Sequence, residues 1–239
     1  MQIVREFTIG FTDIDKSNKV TNKAILNFLE NTAGSHSSLV GQGLKNIHTT
    51  NITWLLLAWK LKILERPEYN DTIKIKTWSK NHDKLYAYRN FEIFNNKDEV
   101  IGMASSKWLC VNPSDLKIIK LTSEILDVYE SEDISVLDNE TDYKLEDPKE
   151  YSNQTEYRIT KNMLDMYNHV HNTFYLDFVE EVLPEEFSNN EFSELEIMYK
   201  KQILGNKNVK IFYSKIEAEH YVIIKSEDEK TLHAIIKLK

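Results

Sequence analysis

The densest run of chemistry-bearing side chains in this 239-residue sequence is Asp165-Met166-Tyr167-Asn168-His169-Val170-His171-Asn172-Thr173-Phe174-Tyr175. A carboxylate at 165 and an imidazole at 169 stand just ahead of a segment with helical spacing. There, Tyr175, Leu176, Val179, Val182 and Leu183 share one face, and Pro184 is the stop. The first amide groups of a helix lack intrahelical acceptors and carry partial positive charge, so they can polarise a carbonyl or hold an oxyanion. A carboxylate and an imidazole beside such amides are the ingredients for activating water against an ester or thioester. The same residues admit a purely structural reading, in which Asn172 is an N-cap, His169 fills the corner and Asp165 caps a turn. Spacing alone leaves both readings open.

The elements that must hold this cluster recur twice along the chain. An opening β-type run, Met1 to Gly10, leads to a helix from Thr21, with Thr21 as N-cap and Gly41 or Gly43 as its stop. Ile25, Phe28, Leu29, Thr32, Ala33, His36, Leu39 and Val40 form its buried stripe. Strand-like runs follow from Ile52, Asp71, Leu85 and Glu99, with the hairpin signal Asn95-Asn96-Lys97-Asp98 between the last two. After residue 150 the order repeats in shorter form: a strand from Tyr151 to Ile159, a helix starting near Asn172, and strands from Ser193, Asn208, His220 and Thr231. Strand, helix and strands twice over is an internal repeat at domain scale, and each half reads as α+β with a helix packed on an antiparallel sheet.

Charge marks the boundary. The chain carries a net −8, and the stretch Asp127 to Glu150 holds ten acids against two bases, so the remaining residues sum to zero. This predicts an N-terminal domain over 1–126, an acidic linker over 127–150, with Ile134 to Leu137 as a candidate crossing strand, and a C-terminal domain over 151–239. Acidity of this kind opposes general nucleic-acid binding, which needs concentrated cationic surface. The 41% hydrophobic content supports a real core. A single cysteine, Cys110, excludes an intramolecular disulfide framework and fits a reducing compartment. Flanked by Trp108, Leu109 and Val111 on a predicted strand, it reads as a buried inert thiol. His36 reads as a core histidine. Six scattered glycines give no phosphate loop, and Asp13 and Asp15 resemble the start of a calcium loop without its glycine and glutamate. The amino terminus lacks a secretory or transit pattern, and the most apolar run, Ile52 to Leu64, is shorter than the ~20 residues of a membrane-spanning helix. A cytoplasmic protein is expected.

The order of elements and the D-M-Y-N-H-V-H-N motif resemble the acyl-acyl carrier protein thioesterases of plants and bacteria, which are tandem hot-dog domains with a D-x-N-x-H-V-N-N pattern before the second helix. Asp165, His169, Val170 and Asn172 match that pattern. The R-E-F-T-I-G opening, the L-N-F-L-E-N-T-A-G-S-H helix, the N-I-T-W-L-L-L run and the S-S-K-W-L strand extend the likeness over nearly the whole chain.

The resemblance implies two tandem hot-dog domains, each a long helix wrapped by an antiparallel sheet, and hydrolysis of fatty acyl-carrier-protein thioesters to free fatty acids. It makes Asp165 and His169 the catalytic pair. Asn168, the Val170 backbone and Asn172 become the orienting and oxyanion groups. The sequence departs from the pattern at Tyr167 and His171, where the family has asparagine, and at Gln202. Gln202 falls where a Y-R-R-E-type strand carries glutamate, in Tyr199-Lys200-Lys201-Gln202. A glutamine cannot accept a proton but can hold a water, so Gln202 is read as a positioning residue. The first domain would hold the acyl chain, with Trp54 and Leu55 among its contacts. No cofactor or metal is implied. The implied partner is an acidic acyl carrier protein meeting Arg158, Lys161, Lys200 and Lys201. A homodimer is compatible with the repeat. The runners-up are an acyl-coenzyme A thioesterase and a non-catalytic acyl- or carrier-binding protein.

Overall fold

The computed structural model describes residues 1–80, 83–205 and 207–239, apart from the side chain of Asn189. The chain divides into two compact units, Met1–Asp142 and Tyr143–Lys239. The acidic stretch is therefore shared: residues 127–142 belong to the first unit and 143–150 to the second.

In the first unit β1 (Gln2–Thr8), β2 (Thr53–Ile63), β3 (Thr72–Lys80), β4 (Tyr86–Phe94) and β5 (Val100–Val111) run antiparallel in the order β1-β3-β4-β5-β2. The helix α1 (Asn22–Leu39) starts where Thr21 Oγ1 accepts the Ala24 N–H at 3.0 Å. It ends at Gly41, whose φ of 77° is the left-handed conformation that suits a residue without a Cβ. Ile25, Leu29, Thr32, Ala33 and His36 are buried as the periodicity predicts, whereas Leu39, in the helix's last turn, is 66% exposed. Phe28 seats α1 on β1 through the Phe7 ring, 4.8 Å away. Two single-turn helices, α2 (Ile47–Thr50) and α3 (Ser123–Leu126), lie in the connections.

In–out alternation of burial fails in β3, where Trp78 is buried between Thr77 and Ser79. Both faces of this sheet are covered, one by α1 and the other by the acidic stretch. Ile134 to Leu137 is not a strand; it is a strap whose Ile134 carbonyl accepts from Trp78 Nε1 at 3.2 Å and Asn90 Nδ2 at 2.7 Å. Glu140, 4% exposed, pins it by accepting from Lys80 Nζ, Asn90 Nδ2 and the amides of Val136 and Leu137. Burial alone would raise that carboxyl, but these donors outweigh it and hold the group below the usual carboxylate range.

In the second unit β6 (Asn153–Arg158), β7 (Glu194–Tyr199), β8 (Asn208–Ile216), β9 (Glu219–Ser226) and β10 (Leu232–Leu238) run antiparallel in the order β7-β10-β9-β8-β6. A long helix holds for the first unit only. Here a 3-10 turn, Asn172–Phe174, feeds α4 (Tyr175–Glu180), which is six residues long. Pro184 has no N–H to continue a helix and disfavours helical geometry in the residue before it, so the segment unwinds ahead of it. Phe178 seats α4 on β6 through Tyr157, ring centroids 5.1 Å apart, as Phe28 does with Phe7. Each unit is thus a helix on an antiparallel sheet, the α+β hot-dog arrangement.

Candidate active site

The cluster from 164 to 175 is a tight turn followed by a helix start. Leu164 and Val170 face each other in an antiparallel bridge, and the Asp165 N–H donates to the His169 carbonyl at 2.8 Å. Asp165 Oδ1 accepts the amides of Tyr167 at 2.8 Å and His169 at 2.9 Å, which fixes the backbone on which the imidazole stands. Asn168 adopts φ 63°, a left-handed conformation that asparagine tolerates. A second segment clamps the turn from outside: Val170 N–H donates to the Ile203 carbonyl at 2.9 Å, and Gly205 N–H donates to the Asn168 carbonyl at 3.1 Å. A Cβ at Gly205 would lie 2.6 Å from Leu164 Cδ1 and 2.9 Å from Asn168 Oδ1, so a larger residue there would have to turn both side-chain ends aside.

The backbone revises three expectations. Asn172 is not the N-cap; His171 is, its Nδ1 accepting from Thr173 N–H at 3.4 Å and lying 3.1 Å from Thr173 Oγ1. The Val170 amide is not free for an oxyanion, because Ile203 already takes it. Gln202 lies beyond the end of β7 in the segment that clamps the turn, not on a strand.

The first unit contains the same turn 150 residues earlier. Ile14 bridges Val20, Asp15 N–H donates to the Lys19 carbonyl, and Asp15 Oδ1 accepts the amides of Ser17 and Lys19. Asn18 sits at the same φ of 63°, and Val20 N–H donates to Pro67 as Val170 does to Ile203. The pair I-D-K-S-N-K-V-T-N and L-D-M-Y-N-H-V-H-N carries this repeat in the sequence, a signal that the calcium-loop comparison obscured. By this register Lys19 stands where His169 does, and Arg66 where Gln202 does.

What differs is how the side chains are used. In the first unit Lys19 pairs with Glu68, and Arg66 donates to the Val20 carbonyl at 3.0 Å and to Asn22 Oδ1 at 2.9 Å. In the second unit Leu204 replaces Glu68. Among the described residues the His169 imidazole and the side-chain amides of Asn172 and Gln202 make no hydrogen bond. His169 is half-buried and stacks beside Tyr167 at 6.4 Å. Asp165 Oδ2 is likewise without a partner among the described residues. The turn is a shared scaffold, closed by cation–carboxylate and guanidinium contacts in one copy and open in the other.

The floor beneath the open copy is aromatic. Tyr199 Oη donates to the Asn172 carbonyl at 3.1 Å, and the Tyr175 ring meets Tyr199 edge-on at 5.1 Å. Burial pushes the Tyr175 phenol up, against a smaller opposing effect from its hydrogen bond to the Ile203 backbone. Sequence reading passed over both tyrosines, which look like core residues in their strands and helix. Arg158, Lys161, Lys200 and Lys201 are all exposed on this unit. In the first unit Trp54 and Leu55 are half-buried neighbours on β2, so they point to opposite faces; Trp54 meets Tyr129 edge-on at 6.2 Å. His36 and Cys110 are buried, and burial raises the thiol to about 11, where it is unreactive.

Comparison with known proteins covers both units. Residues 2–129 match the model of the acyl-ACP thioesterase N-terminal domain and residues 146–238 that of the C-terminal domain. The oleoyl-acyl carrier protein thioesterase 2 of Arabidopsis thaliana chloroplasts is 28% identical over 221 residues, covering 84% of this chain and 58% of the plant protein. A chloroplastic palmitoyl-acyl carrier protein thioesterase of Cuphea hookeriana is 23% identical, covering 83% and 51%. The chain thus spans a little over half the length of these curated relatives. An acyl-ACP thioesterase from Bacteroides thetaiotaomicron shares the fold with a TM-score of 0.86 at 21% identity, over 99% of this chain and 96% of that one. The 12:0-ACP thioesterase of Umbellularia californica does so with a TM-score of 0.86 at 14% identity, over 100% and 96%.

Proposed function

Because the chain belongs to the acyl-ACP thioesterase family, we propose that it hydrolyses the thioester of a fatty acyl-acyl carrier protein, with the chemistry in the second unit and the acyl chain held by the first, Trp54 among its contacts. The observation that supports this reading is the open turn. The scaffold that Lys19, Glu68, Arg66 and Asn22 tie off in one unit presents His169, Asn172 and Gln202 unengaged in the other.

In this mechanism His169 takes a proton from water as its oxygen attacks the thioester carbonyl. The Asn172 amide donates to the carbonyl oxygen as charge develops, and the Gln202 amide holds the water in line. Collapse expels the thiolate of the carrier's prosthetic arm, which takes the proton from His169. The products are a carboxylic acid and a thiol. Asp165 fixes the His169 backbone through Oδ1, and its Oδ2 is available to the water. Arg158, Lys161, Lys200 and Lys201 would receive an acidic carrier protein. A cytoplasmic location and a homodimer belong to the same reading, checked by fractionation and by light scattering.

Gln202 supports a second reading, a protein that binds acylated carrier without cleaving it, since an amide cannot act as base. Thiol release measured across acyl chain lengths on carrier protein and on coenzyme A decides between them. Turnover abolished in His169→Ala supports hydrolysis. Carrier binding without thiol release at any length supports the second reading. Rising salt raising KM for carrier substrates more than for coenzyme A substrates supports the carrier as partner.

A further inference from the structure

On the α1 side of the first unit's sheet, two buried donors stand without acceptors beside a buried guanidinium. Ser79, Arg89, Ser106 and Trp59 form one cross-strand row, so their side chains share a face. Arg89 is 6% exposed and His36, reaching down from α1, is 0% exposed. Arg89 Nη1 lies 2.8 Å from His36 Nδ1 and 3.4 Å from Thr77 Oγ1. A guanidinium only donates, so His36 Nδ1 accepts and the imidazole proton is on Nε2. That Nε2–H has no acceptor, and neither does the indole Nε1–H of fully buried Trp59. Among the described residues no carboxylate pairs with Arg89; its charge rests 5.6 Å from the Tyr129 ring. Buried donors and a buried cation left this way are destabilising unless something supplies acceptors.

The fold does not require this arrangement. In the second unit the strand register places Lys215, His220 and Leu238 in the row corresponding to Ser79, Arg89 and Ser106. There His220 Nδ1 pairs with Tyr213 Oη at 2.9 Å between the rings of Phe187 and Phe192, and Leu238 is fully buried. The same architecture is therefore built with a closed polar pair and no guanidinium.

We propose that Arg89, His36 and Trp59 form a binding site for an alkyl carboxylate. The carboxylate supplies the missing counter-charge to Arg89 and lone pairs to the Nε2–H and Nε1–H groups. Trp59 packs against Phe91 at 5.3 Å and Trp108 at 6.5 Å, and the hydrocarbon chain would lie against these rings. This is a claim about binding and stands apart from thioester cleavage.

Calorimetric titration of the full chain with dodecanoate and with dodecan-1-ol tests it. Dodecanoate binding at least tenfold tighter, with the difference erased in Arg89→Met, supports the site. Equal affinities, or no binding of dodecanoate, overturn it. Should Arg89→Met fail to fold, the wild-type protein still decides. The carboxyl resonance of bound [1-13C]dodecanoate should stay ionised at a pH where the free acid is protonated, and titration like the free acid overturns the proposal. Monomethyl dodecanedioate identifies the source of the carboxylate. Binding tighter than dodecanoate marks the far end of an acyl chain, and weaker binding marks a free fatty acid; either order supports the carboxylate site.

Discussion

Asp15 and Asp165 make the same turn with the same oxygen: Oδ1 of each accepts the amides two and four residues ahead. The two carboxylates therefore share a structural duty, and only one of them has an imidazole on the residue it fixes. Asp15→Ala and Asp165→Ala should each lose about 1 kcal/mol of stability, the usual effect of removing such a cap. Only Asp165→Ala should lose thiol-releasing activity, by tenfold or more. Equal activity losses in the two variants would show that the first turn takes part in the chemistry.

Gln202→Arg should convert the open corner into the closed one. By analogy with Arg66, the new guanidinium would reach the Val170 carbonyl and Asn172 Oδ1. Turnover should fall at least tenfold while thermal stability holds or rises, whereas Gln202→Ala should reduce turnover and lower stability little. A Gln202→Arg variant with full activity would remove Asn172 from the mechanism.

Gly205→Ala should strain the turn from behind. Its Cβ would meet the side-chain ends Leu164 Cδ1 and Asn168 Oδ1, which can turn aside, so the effect should sit at the low end of the about 1–3 kcal/mol typical of overpacking. Denaturant midpoints should fall accordingly, and kcat should fall with them because Asn168 precedes His169.

Glu140→Gln should loosen the strap over the first sheet. The carboxylate's folded pKa lies below its unfolded value, so its contribution is complete at neutral pH and is lost as pH falls through the depressed folded value. Replacing a charged acceptor of this kind lowers stability by about 1.5–3 kcal/mol. The deficit should be largest at pH 7 and shrink in acid, read from urea midpoints.

His36 gives a second pH test, with stability again lost toward acid. Burial first, and the Arg89 charge second, depress it to about 3. Unfolded, it titrates near the ordinary value of about 6.5. Between those values the unfolded chain binds a proton that the folded chain refuses, so stability is full above the upper value and declines as pH falls toward the lower one. The slope approaches about 1.4 kcal/mol per pH unit. His36→Gln should flatten the stability profile between pH 6.5 and 5; an unchanged slope would place the titration elsewhere.

The polar cluster around Asp165 and His169 was readable from the sequence because its residue types are dense and stand ahead of a helix signal. The N-cap at Thr21 and the burial of His36 and Cys110 followed from local pattern too. Other features depend on partners far along the chain. Glu140 reads as one more solvated acid until Lys80 and Asn90, on other strands, are brought to it. Gln202 reads as strand because Tyr199-Lys200-Lys201 continues β7 in composition, and only the bridge from His169 to Leu204 reveals that it is in the clamping segment. Its equivalence to Arg66 is a matter of register, which composition does not carry.

The strap has a practical corollary for dissecting this molecule. A gene fragment drawn to the composition boundary at Leu126 would end before Ile134, leaving the Trp78 indole and the Asn90 amide pointing at water and Lys80 without its acid. The compact first unit runs on to Asp142, so a fragment that keeps these contacts carries much of the most acidic sequence in the protein with it.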